Sequence, residues 1–151
     1  MNSWAMEEAI SEAQLALEHE DVPVGAVVVY NNQIIGRGHN EKELRNNALF
    51  HGEIIALNQA VEYLGDWHLN ECTLFVTLEP CAMCAGAMLN LRLGKVIIGA
   101  RDERMGCCGT ALNLLNQPGF NHKVEVEFGL EQERCAGLLS QFFALLRAKK
   151  K

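Results

Sequence analysis

Apolar positions in residues 4–20 recur near helical spacing. Ala5, Ile10, Ala13 and Leu17 share a stripe, and Ser3 stands where it would cap the first turn. The period then changes. Residues 23–30, PVGAVVVY, are rich in β-branched side chains and predict a strand. Asn31 and Asn32 tolerate the positive φ of a tight turn, so residues 33–40, QIIGRGHN, are expected to return as the second arm of a hairpin. A polar loop is expected from Glu41 to Phe50. GEIIALNQAVEYLG resumes the helical period, with Gly65 as its stop. CTLFVTL predicts a buried strand, CAMCAGAMLNLR a helix and KVIIGA another strand. From Arg101 to Asn121 no period holds. KVEVEF and the amphipathic EQERCAGLLSQFFALLRAKK close the chain as strand and helix.

This order of elements predicts an α/β fold. Alternating strands and helices after the hairpin imply crossover connections, hence parallel strands, while the hairpin adds an antiparallel edge. The expectation is one mixed sheet of five strands with helices on both faces. The irregular segment of some twenty residues is longer than compact domains usually carry, and such segments are often functional.

Composition sets the scale. A chain of 151 residues with 49% hydrophobic and 21% charged residues suits a single domain, read here as residues 1–151. The net charge of −6 argues against a protein that coats nucleic acid indiscriminately. A local basic patch stays open, from Arg92, Lys95, Arg101, Arg104, Lys123 and the terminal RAKKK, although a solvated face is the plainer reading. No apolar run approaches the length of a membrane span, and the first residues, MNSWAMEEAI, lack a basic stretch followed by an apolar one. The expectation is a cytoplasmic protein with no membrane partner. In a reducing compartment its six cysteines are metal ligands or buried thiols rather than disulfides.

The chemistry gathers at two helix starts. Cys81 and Cys84 are three apart and share a face. Free N–H groups and the helix dipole favour their ionised forms. That suits a metal site and a dithiol redox pair alike, and the spacing does not choose between them. His51 and Glu53 stand at the head of another helix. Together the two stretches offer one imidazole and two thiolates, three ligands for zinc with a fourth position left for water. Glu53, two residues from the histidine, can move the water's proton without binding the metal.

His51-Gly52-Glu53 followed by Pro80-Cys81-x-x-Cys84 matches the H-x-E…P-C-x-x-C pattern of zinc-dependent nucleobase deaminases. With VPVGAVVV, TLEPCAMCAGAM, GARD, PGFNHKVEV and CAGLLSQFF, nearly the whole chain resembles the bacterial tRNA adenosine deaminases. That resemblance implies a three-layer α/β/α fold of the cytidine-deaminase type and a homodimer whose sites draw on both subunits. It implies one zinc ion per subunit on His51, Cys81 and Cys84, and Glu53 as the catalytic proton carrier. The implied reaction converts the wobble adenosine of a tRNA anticodon loop to inosine. Two stretches depart from the family. NALFHGE stands where DPTAHAE is usual, so Asn47, Ala48, Leu49, Phe50 and Gly52 differ close to the expected pocket, and H-G-E is also found in some free-base deaminases. MGCCGT replaces small residues with Cys107 and Cys108, read as buried packing, with a second metal site as the alternative.

A base in a duplex cannot reach a recessed pocket, so the substrate should be splayed from a loop such as the tRNA anticodon stem-loop. The resemblance makes Asn40 a contact to the base edge, and Arg101 and Asp102 contacts to phosphate and ribose. A turn residue and a surface ion pair are the structural alternatives. Asn121 and His122 are candidates for neighbouring nucleotides. Of Phe142 and Phe143, one is expected in the core and Phe143 is the candidate for stacking on a base. Two other readings remain at this point: a deaminase of a free nucleobase or nucleoside, and a non-catalytic zinc or dithiol protein in which Glu53 has no role.

Overall fold

The computed structural model describes residues 3–150. Helix α1 (Ser3–Glu18) opens the chain and buries Ala5, Met6, Ala9, Ile10, Ala13 and Ala16. Ser3 is itself helical rather than a cap outside the helix; residues 1 and 2, and Lys151 of the basic tail, lie outside the described residues. The helix stops two residues short of the predicted end, and Glu20 turns the chain at φ 59°. Small side chains let α1 lie directly on strand β1 (Gly25–Tyr30). A Cβ at Gly25 would stand 1.9 Å from the Ala9 carbonyl oxygen and 2.5 Å from the Ala13 nitrogen. Both obstacles are backbone and cannot rotate away. Gly25→Ala is therefore expected to cost about 3 kcal/mol, the upper end for overpacking, read as a lower midpoint in urea unfolding.

β1 turns at Asn31 and Asn32, both at positive φ, into β2 (Gln33–His39). The sheet order is β2-β1-β3-β4-β5, where β3 is Thr73–Leu78, β4 Lys95–Ala100 and β5 Glu125–Phe128. β1 runs antiparallel to both neighbours, while β3, β4 and β5 are parallel. The mixed sheet thus has the expected antiparallel edge, with a register irregularity between Val28 and Val29.

Alternation along the strands separates two cores. Val27, Phe75 and Ile97 face α1 and α5 (Gln132–Lys149). Ala26, Val28, Leu74, Val76, Val96 and Ile98 face α3 (Gly52–Leu64) and α4 (Ala82–Asn90). The result is the three-layer sandwich, helices over both faces of one sheet. On the α1 side, buried Glu12 accepts from His39 Nδ1 at 2.8 Å and ties α1 to the end of β2.

One segment differs from expectation and a second meets it. Within the predicted polar loop lies α2 (Lys42–Arg45), one helical turn without a buried residue. It has no apolar stripe to reveal it. It forms because Asp21 Oδ2 accepts from the Glu43 N–H at 2.8 Å and Asn46 closes it at φ 51°. The second is the β4-to-β5 crossover, residues 101–124, which joins parallel strands without a helix. A Cys108–Asn113 bridge and the fully buried Leu115 hold it down. Cys107 and Cys108 are buried in the larger core as free thiols.

Candidate active site

The site lies where the parallel strands β3 and β4 end, the usual edge for ligand binding in α/β sheets. His51 caps α3 in extended conformation and Cys81 caps α4 in the same way. Neither residue makes a side-chain cap bond, and the two side chains face each other. Cys84 follows one turn into α4, on the same face as Cys81 and fully buried. The His51 Nδ1 lies 3.8 Å from the Cys81 Sγ and 3.6 Å from the Cys84 Sγ. All three donor atoms fall within 4.8 Å of one another. A tetrahedral ion with ordinary zinc–nitrogen and zinc–sulfur bonds requires a nitrogen–sulfur spacing of about 3.6 Å. The donor set and its spacing fit such an ion. Among the described residues this is the one group of histidine, cysteine and acidic side chains close enough to hold a metal, so Cys107 and Cys108 do not make a second centre.

The electrostatics agree with a preformed cation site. Hydrogen bonds from the Cys84 thiol and His51 pull Cys81 down to about 3, whereas Cys84 is raised by the same bond to Cys81 and by burial. His51 is raised, first by its bond to Cys81. The surroundings favour a thiolate at Cys81, and a bound cation would favour ionisation of Cys84 as well.

Glu53 occupies the first turn of α3 and is 3% exposed. Burial pushes its carboxyl up to about 7. Its Oε1 is buried without a hydrogen-bond partner. A buried, unsatisfied carboxyl oxygen costs stability, and such groups concentrate at functional sites.

A pocket of about 260 Å³ opens beside these side chains, walled by Val22, Val24, Asn40, Leu78, Asp102 and Met105. Asn40 Oδ1 accepts from the Gly52 N–H at 2.9 Å, which fixes the amide against the head of α3 and leaves its NH₂ to donate. Asp102 Oδ1 accepts from the N–H groups of Arg104 and Met105. Arg101 and Asp102 do not pair with each other. The Arg101 guanidinium stacks over Phe128 at 3.8 Å and donates to Thr110 Oγ1. Phe142 is buried and packs edge-on against Phe143, which is 45% exposed. Phe143 lines an adjoining groove with Arg101, Arg104 and Leu139, continuous with the pocket through Val22, Leu78, Asp102 and Met105.

Two predicted contacts lie elsewhere. Asn121 and His122 line a groove with Gly86, Leu89 and Asn90, near the far end of α4, and His122 Nε2 is hydrogen-bonded to the Leu93 carbonyl oxygen. The nine residues of α4 span about 13 Å, so within one chain these two do not share the pocket. The altered NALF stretch is also set apart: Asn47, Ala48, Leu49 and Phe50 do not line the pocket, Leu49 is 61% exposed, and Phe50 carries Arg45 over its ring. Of the basic residues, Lys95 pairs with Glu125 and Glu127 and Lys149 with Glu20, while Arg101 and Arg104 share the groove beside the pocket.

Sequence reasoning passed over Glu79. It is 2% exposed, lines the pocket, and accepts hydrogen bonds from the backbone of the long crossover. The available signal is an acidic residue directly after the apolar strand LFVTL and directly before Pro80, where an unpaired charge is costly.

Known proteins resemble the chain over almost its full length. The family model for MafB19-like deaminases matches residues 2–147. A tRNA-specific adenosine deaminase of Bacillus subtilis (strain 168) is 49% identical over 146 residues, covering 97% of this chain and 91% of that protein. One from Rickettsia typhi (strain ATCC VR-144 / Wilmington) is 41% identical over 145 residues, covering 95% and 98%. A solved structure from work on A-to-I editing by tRNA:A34 deaminases at the wobble position of transfer RNA superposes with a TM-score of 0.86. It is 36% identical and covers 90% of this chain and 99% of that one. The guanine deaminase of Nitrosomonas europaea, at 20% identity and a TM-score of 0.78 over 95% of this chain and 85% of that one, shares the fold. By these matches and by the paired helix heads, the chain belongs to the MafB19-like deaminase family, among the tRNA-specific adenosine deaminases.

Proposed function

We propose that the chain is a single-domain, zinc-dependent hydrolase that converts the wobble adenosine of a tRNA anticodon loop to inosine. One observation carries this reading: a nitrogen and two sulfur donors converge beside the unpartnered carboxyl oxygen of Glu53, at the wall of an open pocket. His51 Nδ1 and the Sγ atoms of Cys81 and Cys84 would hold zinc, whose Lewis acidity makes water nucleophilic near neutral pH.

Glu53 does the proton work. It takes a proton from the attacking water and delivers it to N1 of the adenine, and a second transfer reaches the departing amine. Water and adenosine thereby yield inosine and ammonia, and the carboxylate is restored. Burial poises Glu53 near neutrality, the useful range for a group that both accepts and donates. The Asn40 NH₂ donates to an acceptor nitrogen of the base, while Asp102 and Arg101 meet the ribose and phosphate at the rim. Phe143 offers an exposed ring to a neighbouring base.

Asn121 and His122 fit this reading only if a second copy brings them to the site, which favours a homodimer. Sedimentation is expected to show a species of about twice the 16.8 kDa chain mass; a chain-mass species alone at micromolar concentration would contradict it. No described helix is long and apolar enough to cross a membrane, and a tRNA substrate puts the reaction in the cytoplasm.

The deciding assay is ammonia release and inosine formation from a synthetic anticodon stem-loop, with and without a chelator. Equimolar inosine and ammonia, suppressed by the chelator, are expected. Turnover of free cytosine, guanine or adenosine with none of the RNA would overturn the proposal.

A further inference from the structure

We propose that Glu79 is a positioning residue for substrate: its buried carboxylate fixes the crossover segment 101–110, and with it one wall of the pocket, against the metal-binding turn. The inference rests on the reading that this pocket takes a base presented by RNA. Glu79 follows the last residue of β3 and precedes Cys81 by two. Its Oε1 accepts from the Asp102 N–H at 3.1 Å, and its Oε2 accepts from the N–H groups of Cys108 at 3.0 Å and Thr110 at 3.1 Å. The flanking backbone joins the same segment. The Glu79 N–H donates to the Ala100 carbonyl oxygen, and the Pro80 carbonyl oxygen accepts from the Cys107 N–H, both at 2.9 Å. Among the described residues no lysine, arginine or histidine pairs with this carboxylate. It is held by backbone N–H groups, as an anion is held in a nest.

The segment it holds carries pocket groups. Asp102 and Met105 stand in the pocket wall, and Asp102 in turn anchors the Met105 N–H through its own Oδ1. A shift of the Asp102 backbone therefore moves both. The fit is close from the other side too, since a Cβ at Gly106 would lie 2.4 Å from the Glu79 Cδ. The metal donors are positioned separately. Cys81 is set by the head of α4, whose first bond runs from the Ala85 N–H to the Cys81 carbonyl oxygen at 2.9 Å. Loosening Glu79 should blur substrate binding before it disturbs the donor set or the proton carrier.

The test is Glu79→Gln, which keeps the shape but turns an NH₂ toward N–H donors. Metal content and kcat are measured with KM for the anticodon stem-loop, and amide exchange is read in the metal-loaded protein. The expected result is a KM at least about tenfold higher, with kcat within about threefold of the parent and one metal ion per chain. Exchange at Asp102, Cys108 and Thr110 should quicken about tenfold or more, while α4 keeps its protection. Glu79→Asp keeps the charge but shortens its reach to the three N–H groups and should give a smaller KM-selective defect of the same kind; it decides the matter if Glu79→Gln does not fold. Unchanged KM and exchange, or a fall in kcat and metal content that matches the change in KM, would overturn the inference. If the parent protein fails to turn over the stem-loop, the functional reading fails, and the exchange comparison still judges Glu79 by itself.

Discussion

Cys84→Ala is expected to lose the metal, and deamination with it, by on the order of 10³-fold or more, because the ion contributes several kcal/mol of charge stabilisation to the reaction. Cys84 is fully buried, and its Sγ is 3.6 Å from His51 Nδ1. Removing it leaves a histidine and one cysteine, too few to hold a tetrahedral ion firmly. The packing cost is small, since alanine vacates the space of a single sulfur. The larger effect on stability is indirect. A metal present at a hundredfold excess over its Kd stabilises the fold by about 2.7 kcal/mol, and the variant forgoes that contribution. Thermal unfolding with and without added zinc separates the two effects: the parent Tm should rise with zinc and the variant's should not. Cys72→Ala is the control. Cys72 is 2% exposed, as buried as a ligand, but outside the donor group. It should keep metal content and activity while losing a little stability. If Cys84→Ala retained one ion per chain, the three-donor site would be wrong.

The difference between these two cysteines bears on how much could be read before the structure. Cys84 was legible because its partners lie in short patterns, H-x-E and P-C-x-x-C, each confined to one helix head. The strands were legible for another reason: β1, β3 and β4 are buried on both faces, so each reads as a short run of β-branched and other apolar residues. Glu79 has no such pattern. Its partners are backbone N–H groups 23, 29 and 31 residues away, and a backbone N–H has no identity in a sequence. The turn α2 was hidden likewise, since a carboxylate 22 residues upstream holds it. Asn121 and His122, the candidates for neighbouring nucleotides, line a groove apart from the pocket. Their position depends on the path of a crossover with no periodicity. Local chemistry was readable; long-range backbone bonding was not.

Glu53→Gln should abolish deamination by about 10²–10⁴-fold while leaving metal content and fold intact. The substitution keeps the length and planarity of the side chain and removes only its ability to carry a proton. Glu53 is not needed to complete the donor set, which the imidazole and the two sulfurs form by themselves, so one ion per chain should remain. Nor does the fold depend on the charge. Burial opposes the ionised form and pushes the group up to about 7, and Oε1 is without a hydrogen-bond partner. Replacing a desolvated carboxylate by a neutral amide of equal size should leave the Tm of the chelator-treated protein unchanged or raise it. Loss of activity without loss of stability is the mark of a residue kept for chemistry. Glu53→Ala should be as inactive but less stable, since it opens a cavity in the first turn of α3. The measurement is single-turnover inosine formation on the stem-loop beside metal analysis and thermal unfolding. Retention of more than about one tenth of the parent rate by Glu53→Gln, with metal bound, would transfer the proton work to another group, because general acid–base catalysis is worth at least about 10²-fold.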